Sequence, residues 1–210
     1  MNLDLDISEF VSNFEHSCTK VQKKVFLKNE IITSYIAKRN QFCILLSGNA
    51  DLVRYDLNGN RTIVEHFSKY DIFGEMFYNV TTNNELLVEA RKKSEVLFYS
   101  YNDIKQKCKS NCKFHQVLSE TLPELILGKV MNLNLRIELL TKRSIRDKLL
   151  GYFTLVSNRN LSKSFTLPFP LTDLADYLSI DRSAMMRELK LLKEDGFIEK
   201  VGNRIILLYK

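Results

Sequence analysis

Residues 171–200 read LTDLADYLSIDRSAMMRELKLLKEDGFIEK, and they decide the fold of the second half of the chain. Leu171, Leu174, Ala175 and Leu178 recur at helical spacing, which predicts a short helix over 171–178 with one apolar face. Ser179-Ile180 interrupts the pattern, and Asp181 is then suited to cap a second helix, its carboxylate accepting from the orphan amides of the first turn. That helix directs Met185, Met186, Leu189 and Leu192 inward and Arg182, Ser183, Arg187 and Lys190 outward. Two short helices, a tight turn and a basic second helix form the helix-turn-helix pattern, whose second helix lies in the DNA major groove. Gly196 stops the helix. Phe197–Lys200 and Arg204–Leu208, joined at Asn203, read as a small hairpin, the wing of a winged helix-turn-helix.

The 210 residues leave room for one large domain or two small ones, with 45% apolar residues to build cores. No stretch approaches the roughly 18 uninterrupted apolar residues of a membrane span. The acidic opening MNLDLDISEF has neither a basic region nor a signal-like apolar core, so the expected setting is soluble and cytoplasmic, with no membrane partner. Cys18, Cys43, Cys108 and Cys112 are too few and too scattered for a disulfide scaffold. The net charge of +6 is unevenly placed. From Arg136 onward stand 14 Lys and Arg against 9 Asp and Glu, a surplus of 5 that falls with the helix-turn-helix. Charge alone is satisfied by a solvated face, but charge together with the motif points to a polyphosphate partner.

Upstream, residues 4–16 resemble a short amphipathic helix (Leu5, Phe10, Val11, Phe14). From Lys24 to about Tyr101 the period changes to two. Val25–Leu27, Phe42–Leu46, Ala50–Leu57, Arg61–Phe67 and Glu95–Tyr99 are short, branched and aromatic-rich segments with turn residues between them. Asn58-Gly59 supplies the positive φ angles of a type I′ hairpin. Many short strands with polar turns predict a closed double-sheet jelly roll. From about Lys113 to Leu140 the pattern is long and helical, with Ile126, Val130, Leu133, Ile137 and Leu140 spaced as the seam of a coiled coil. A second, broken apolar row (Leu118, Leu122, Leu125, Leu135, Leu139) lies outside it, so one helix can cover the barrel and also meet a partner helix. The seam favours a parallel dimer over a helix buried within one chain. Pro123 either bends this helix or marks its beginning. The seam lapses at Thr141-Lys142, and another amphipathic helix runs from Ser144 to Leu155. A polar loop follows over Ser157–Lys163, then a strand over Ser164–Leu167, with Pro170 opening the next helix. The expected α+β organisation is a jelly roll over 1–112, a dimerisation helix over 113–141 and a winged helix-turn-helix over 142–210.

These residues resemble the cyclic-AMP receptor protein / fumarate-nitrate regulator (Crp–Fnr) family of bacterial transcription factors along nearly the whole chain. The resemblance rests on Phe26-Leu27-Lys28-Asn29-Glu30, Ile44–Gly48 and Asp71-Ile72-Phe73-Gly74-Glu75 in the barrel, and on Ser144–Leu150 at the hinge. It is strongest at Leu174–Leu178 followed by Asp181-Arg182-Ser183-Ala184 and Arg187-Glu188-Leu189. It implies a cupin-like sensory jelly roll, a dimer on a two-fold double-stranded DNA operator, a small-molecule effector of unknown identity, and RNA polymerase as a partner. Matched residue by residue, Arg182, Ser183 and Arg187 fall where the family contacts base edges. An arginine pairs bidentately with guanine O6 and N7, contributing roughly 1–3 kcal/mol of discrimination. Ser183 stands where the family often has glutamate, so the half-site of relatives does not carry over. For Arg182 a phosphate contact is an equal alternative.

In cyclic-nucleotide-binding members, Gly-Glu is followed about ten residues later by Arg-Ser, which holds the cyclic phosphate. Here Gly74-Glu75 are matched with Asn84-Glu85: an amide replaces the charged fork and the adjoining carboxylate repels a phosphate. Counted back from the Ser144 hinge, Lys129 and Val130 stand where the cyclic-AMP-binding member offers hydroxyl groups to the purine, and Val130 cannot donate. Tight cyclic AMP binding is therefore not expected. Gly74 is more simply a turn requirement, and Glu75 a cap for local backbone.

The iron–sulfur members' N-terminal cysteine cluster has no counterpart. Cys108 and Cys112, spaced i,i+4 near His115, make an incomplete metal site. They could form a redox thiol pair with Lys105, Lys107, Lys109 and Lys113 lowering a thiol pKa, although ordinary free thiols are the simpler reading. His16 and His66 have no neighbouring ligand pattern. Enzymatic chemistry is not expected: clustered barrel histidines, a phosphate-binding glycine loop and a paired nucleophile and base are all missing. A degenerate barrel that merely supports the dimer, with no effector, remains the second reading.

Overall fold

The computed structural model describes residues 21–37, 41–56, 58–59, 61–78, 85–100 and 113–209. The chain packs as two compact units, Met1–Met131 and Asn132–Lys210. The amphipathic stretch proposed for 4–16 lies outside the described residues.

Among the described residues of the first unit, eight strands form two four-stranded antiparallel sheets. They are β1 Gln22–Phe26, β2 Ile31–Ser34, β3 Gln41–Ser47, β4 Ala50–Tyr55, β5 Arg61–Phe67, β6 Ile72–Phe73, β7 Glu85–Ala90 and β8 Ser94–Ser100. Their orders are β1-β8-β3-β6 and β2-β7-β4-β5, so, the β4–β5 hairpin apart, sequence neighbours alternate between sheets as in a jelly roll. Cys43, Leu45, Val96 and Phe98 of one sheet meet Leu52, Phe67, Val88 and Ala90 of the other in the core. The opposite face of the first sheet, Phe42, Ile44, Leu46 and Leu97, packs on Leu125 and Leu122 of the long helix. β3 is buried on both faces, which is why it reads FCILL without polar alternation. β2, β6 and β7 were not expected from the sequence. The first two are very short, and in β7 Leu87, Val88 and Ala90 are buried and Leu86 half-buried, so the run Leu86-Leu87-Val88 shows no polar alternation. Gly59 (φ +79°) donates to the Asp56 carbonyl at the β4–β5 turn; the turn type itself depends on positions 57 and 60, outside the described residues.

The helix α1, Lys113–Thr141, is continuous, and the exposed ring of Pro123 lies inside it rather than at its beginning. The compact units part within α1, whereas the sequence places the change at its end. α2 spans Ile145–Asn160, continuing past Leu155 through part of the expected loop until Leu161 turns left-handed (φ 49°). Ser144 caps it: its Oγ accepts from the Asp147 amide at 3.0 Å and donates to the Asp147 carboxylate at 2.6 Å. β9 Ser164–Thr166, α3 Leu171–Leu178, α4 Arg182–Glu194, β10 Ile198–Val201 and β11 Arg204–Leu207 complete the second unit. β9 adds to the wing as a third strand, in the order β10-β11-β9.

Candidate nucleic-acid interface and barrel site

α3 ends where Ser179 adopts φ +51°, letting the Ile180 amide donate back to the Ala175 carbonyl at 3.0 Å. Two residues later Asp181 caps α4, accepting from the Ala184 amide at 2.7 Å. The tight turn therefore has a capped start on one side and a left-handed stop on the other. Met185, Leu189 and Leu192 enter a core shared with Leu174, Ala175, Leu178, Phe153, Ile198 and Ile205. Met186 does not join them: it is 44% exposed, because the residue after Met185 lies about 100° round the helix. Arg182, Ser183, Arg187 and Lys190 are all exposed on the outer side of α4. Lys190 shares a loose ion pair with Glu194 at 3.6 Å. On the wing, exposed Arg204 is steadied by Nε donating to Ser164 Oγ at 2.8 Å.

A residue that the sequence motif did not single out for a role holds this helix. Arg146 of α2 donates from Nε to Glu188 Oε1 and from Nη2 to Asp195 Oδ2, each at 2.6 Å. One planar fork thus grips α4 on its side and at its end, as charge-assisted pairs do best. The presence of Arg146 in the hinge motif was visible; its partners, more than forty positions away, were not.

In the barrel, Gly74 has φ +151°, and a Cβ there would lie 2.4 Å from the Gln41 carbonyl oxygen, so only glycine fits. The buried Glu75 accepts from the Gln41 amide through Oε1 at 3.3 Å. Asn84 lies outside the described residues, and Glu85 is known here only by its backbone, paired opposite Tyr55. Lys129 and Val130 differ on the single chain. Val130 is 46% exposed, whereas Lys129 is only 7% exposed and enters the barrel. Its Nζ donates to Glu65 Oε1 at 2.7 Å and to the Ile72 carbonyl at 3.3 Å. The rings of Phe67 and Phe77 lie 5.2 and 5.0 Å from the same nitrogen. Tyr78 donates its hydroxyl to the other oxygen of Glu65 at 2.7 Å. Glu65 was missed in the sequence, although Ile63, Glu65 and Phe67 are the inward residues of β5 and a carboxylate in that series is itself a signal. A second buried carboxylate, Asp51, is met by His66 Nδ1 at 2.6 Å, Arg91 Nε at 3.1 Å and Arg61 at 3.6 Å. His66 thus serves the structure of the barrel.

Along α1, Ile126, Val130 and Ile137 are exposed on a single chain and Leu133 and Leu140 are half-buried. Leu125 and Leu139 of the other row are buried, each in the core of its own unit. Cys43 is a buried free thiol, pushed well above its ordinary pKa by desolvation. Cys18, Cys108, Cys112 and His16, and the side chain of His115, lie outside the described residues. Among the described residues no group of three or more His, Cys, Asp or Glu side chains could hold a metal ion, and no helix is long and apolar enough to cross a membrane.

A jelly roll carrying a long helix, joined in sequence to a three-stranded winged helix-turn-helix with a basic second helix, defines a DNA-binding transcription regulator. The sequence matches the cyclic nucleotide-binding domain family over residues 23–111 and the Crp-like helix-turn-helix domain family over residues 147–209. The chain belongs to the Crp–Fnr family of transcription factors, which are regulators and not enzymes. Solved structures share the fold. CprK complexed with OCPA superposes with a TM-score of 0.70 at 14% identity, covering 96% of this chain and 88% of that one. The c-di-GMP-responsive regulator CLP of Xanthomonas campestris gives 0.65 at 16% identity, covering 97% and 100%. FixK2 of Bradyrhizobium japonicum gives 0.65 at 17%, covering 90% and 93%. No curated protein matches the sequence.

Proposed function

We propose that the chain acts as a homodimer that binds a two-fold operator through paired α4 helices, under control of a signal at the barrel other than cyclic AMP. The observation that carries this reading is the outer side of α4, where Arg182, Ser183, Arg187 and Lys190 are exposed together on a helix fixed by the Asp181 cap and the Arg146 fork. Arg187 reads a base edge, Arg182 a base or a phosphate, and Lys190 a phosphate. The uncovered seam of α1 supports the dimer, and a partner helix on Ile126, Val130, Leu133, Ile137 and Leu140 would bury it. Recruitment of RNA polymerase and a cytoplasmic setting accompany this reading.

Control follows linkage: a signal works only through different affinities for the competent and incompetent arrangements of the two α4 helices. A second reading, an effector-independent regulator, is favoured by Lys129, whose ammonium is bonded to Glu65 within the barrel. Selection from a pool of random duplexes tests the proposal. The expected product is an inverted repeat with half-sites about 34 Å apart, one helical turn; unenriched or unsymmetrical products would contradict it. Retained operator binding after exhaustive removal of small molecules would favour the second reading.

A further inference from the structure

We propose that the barrel contains a primary-ammonium site and that its resident occupant is the chain's own Lys129. Among the described residues, the groups that meet the ammonium belong to the barrel: the Glu65 carboxylate, the Ile72 carbonyl and the rings of Phe67 and Phe77. Two aromatic faces, a carboxylate and a carbonyl are the chemistry that recognises an alkylammonium: the rings attract its charge and the oxygens accept its N–H groups. The carboxylate is also oriented from its own side, since Tyr78 donates to its free oxygen at 2.7 Å and the Tyr78 ring packs on Tyr35 at 5.4 Å. The barrel is thus the receptor and the helix supplies a tethered ligand.

A lone buried ion pair contributes little net stability, because desolvation of both charges offsets their attraction. Its placement has another consequence. Lys129 lies between Ile126 and Val130, two residues of the proposed dimer seam that remain exposed on the same helix. The ammonium in its cage therefore fixes which side of α1 is turned outward, the task otherwise left to a free effector. This regulatory part rests on the reading of the chain as a dimeric DNA-binding regulator; the cage itself does not.

The Lys129→Ala variant removes from the cage a fragment that n-propylammonium reproduces, and 1-propanol is its uncharged counterpart. Full-length K129A is expected to melt below the wild type. n-Propylammonium chloride should raise its melting temperature above matched sodium chloride and 1-propanol controls, with no selective rise for the wild type. Absence of a selective rise, or an equal rise in both proteins, would overturn the cage. Should K129A fail to fold, reductive methylation of the wild type followed by mass spectrometry takes its place. Lys129 must resist while exposed Lys190 reacts, and equal rates would overturn the proposal. In the operator arm, K129A should lose affinity by about tenfold or more, within the usual range of coupling between linked sites, and n-propylammonium should restore it. Restored melting without restored binding would overturn the regulatory part alone, and the thermal arm holds whether or not the protein binds duplex.

Discussion

Arg146 Nε lies 2.6 Å from Glu188 Oε1, a half-buried pair that ties α2 to the middle of α4. The same guanidinium reaches Asp195 at the end of α4 and lies over the Phe197 ring at 5.8 Å. A helix anchored at its cap and along its side presents its outward arginines in a single orientation. Arg146→Ala should therefore weaken operator binding several-fold while moving the melting temperature little, since partly exposed ion pairs contribute little to folding. Parallel titrations and thermal scans check this. Unchanged affinity would show that the core alone orients α4.

The seam of α1 makes a different prediction. Ile137 is 58% exposed on the single chain, so a charge there costs an isolated chain almost nothing. Ile137→Asp should leave the circular-dichroism spectrum intact and convert the dimer to monomer in sedimentation, with operator binding lost alongside. A variant that stays dimeric would move the interface elsewhere.

At Gly74, alanine would place a methyl group against the Gln41 carbonyl oxygen at a backbone angle that only glycine adopts readily. Strain of this kind costs on the order of 1–3 kcal/mol. Gly74→Ala should lower the stability of the barrel by at least that amount in a denaturant titration, and no loss would mean that the turn relaxes.

Cyclic AMP should show no saturable micromolar binding in calorimetry. The Lys129 ammonium already occupies Glu65 and the Ile72 carbonyl, and Val130, the neighbouring position in the resemblance, is exposed elsewhere on α1. Tight, saturable heat would contradict this.

How much of this was legible in sequence differs by element. Asp181 as a cap and the buried series Met185, Leu189 and Leu192 follow from short-range chemistry and helical period, and the structure holds both. Met186 was misplaced because neighbouring methionines look alike to a pattern, although the stripe centred on Met185, Leu189 and Leu192 leaves Met186 about 90° to one side. β7 was missed because a strand buried along most of its length loses the alternation that marks a half-solvated one. The barrel site was least legible. The Ser144 hinge located Lys129, but it could not tell that Lys129 turns inward while Val130 stays exposed on the single chain. The partner of Lys129 is 64 positions away, and long-range pairing leaves no local period to read.

Everything functional rests on the exposed arginines of α4 reading base pairs. The most direct test compares the wild type and Arg187→Ala on the selected operator and on random duplex, at one fixed salt concentration because phosphate contacts are salt-dependent. Arg187→Ala is expected to lose roughly 1–3 kcal/mol on the operator and much less on random duplex. Equal losses on both would assign Arg187 to the phosphate backbone and contradict base reading by this helix.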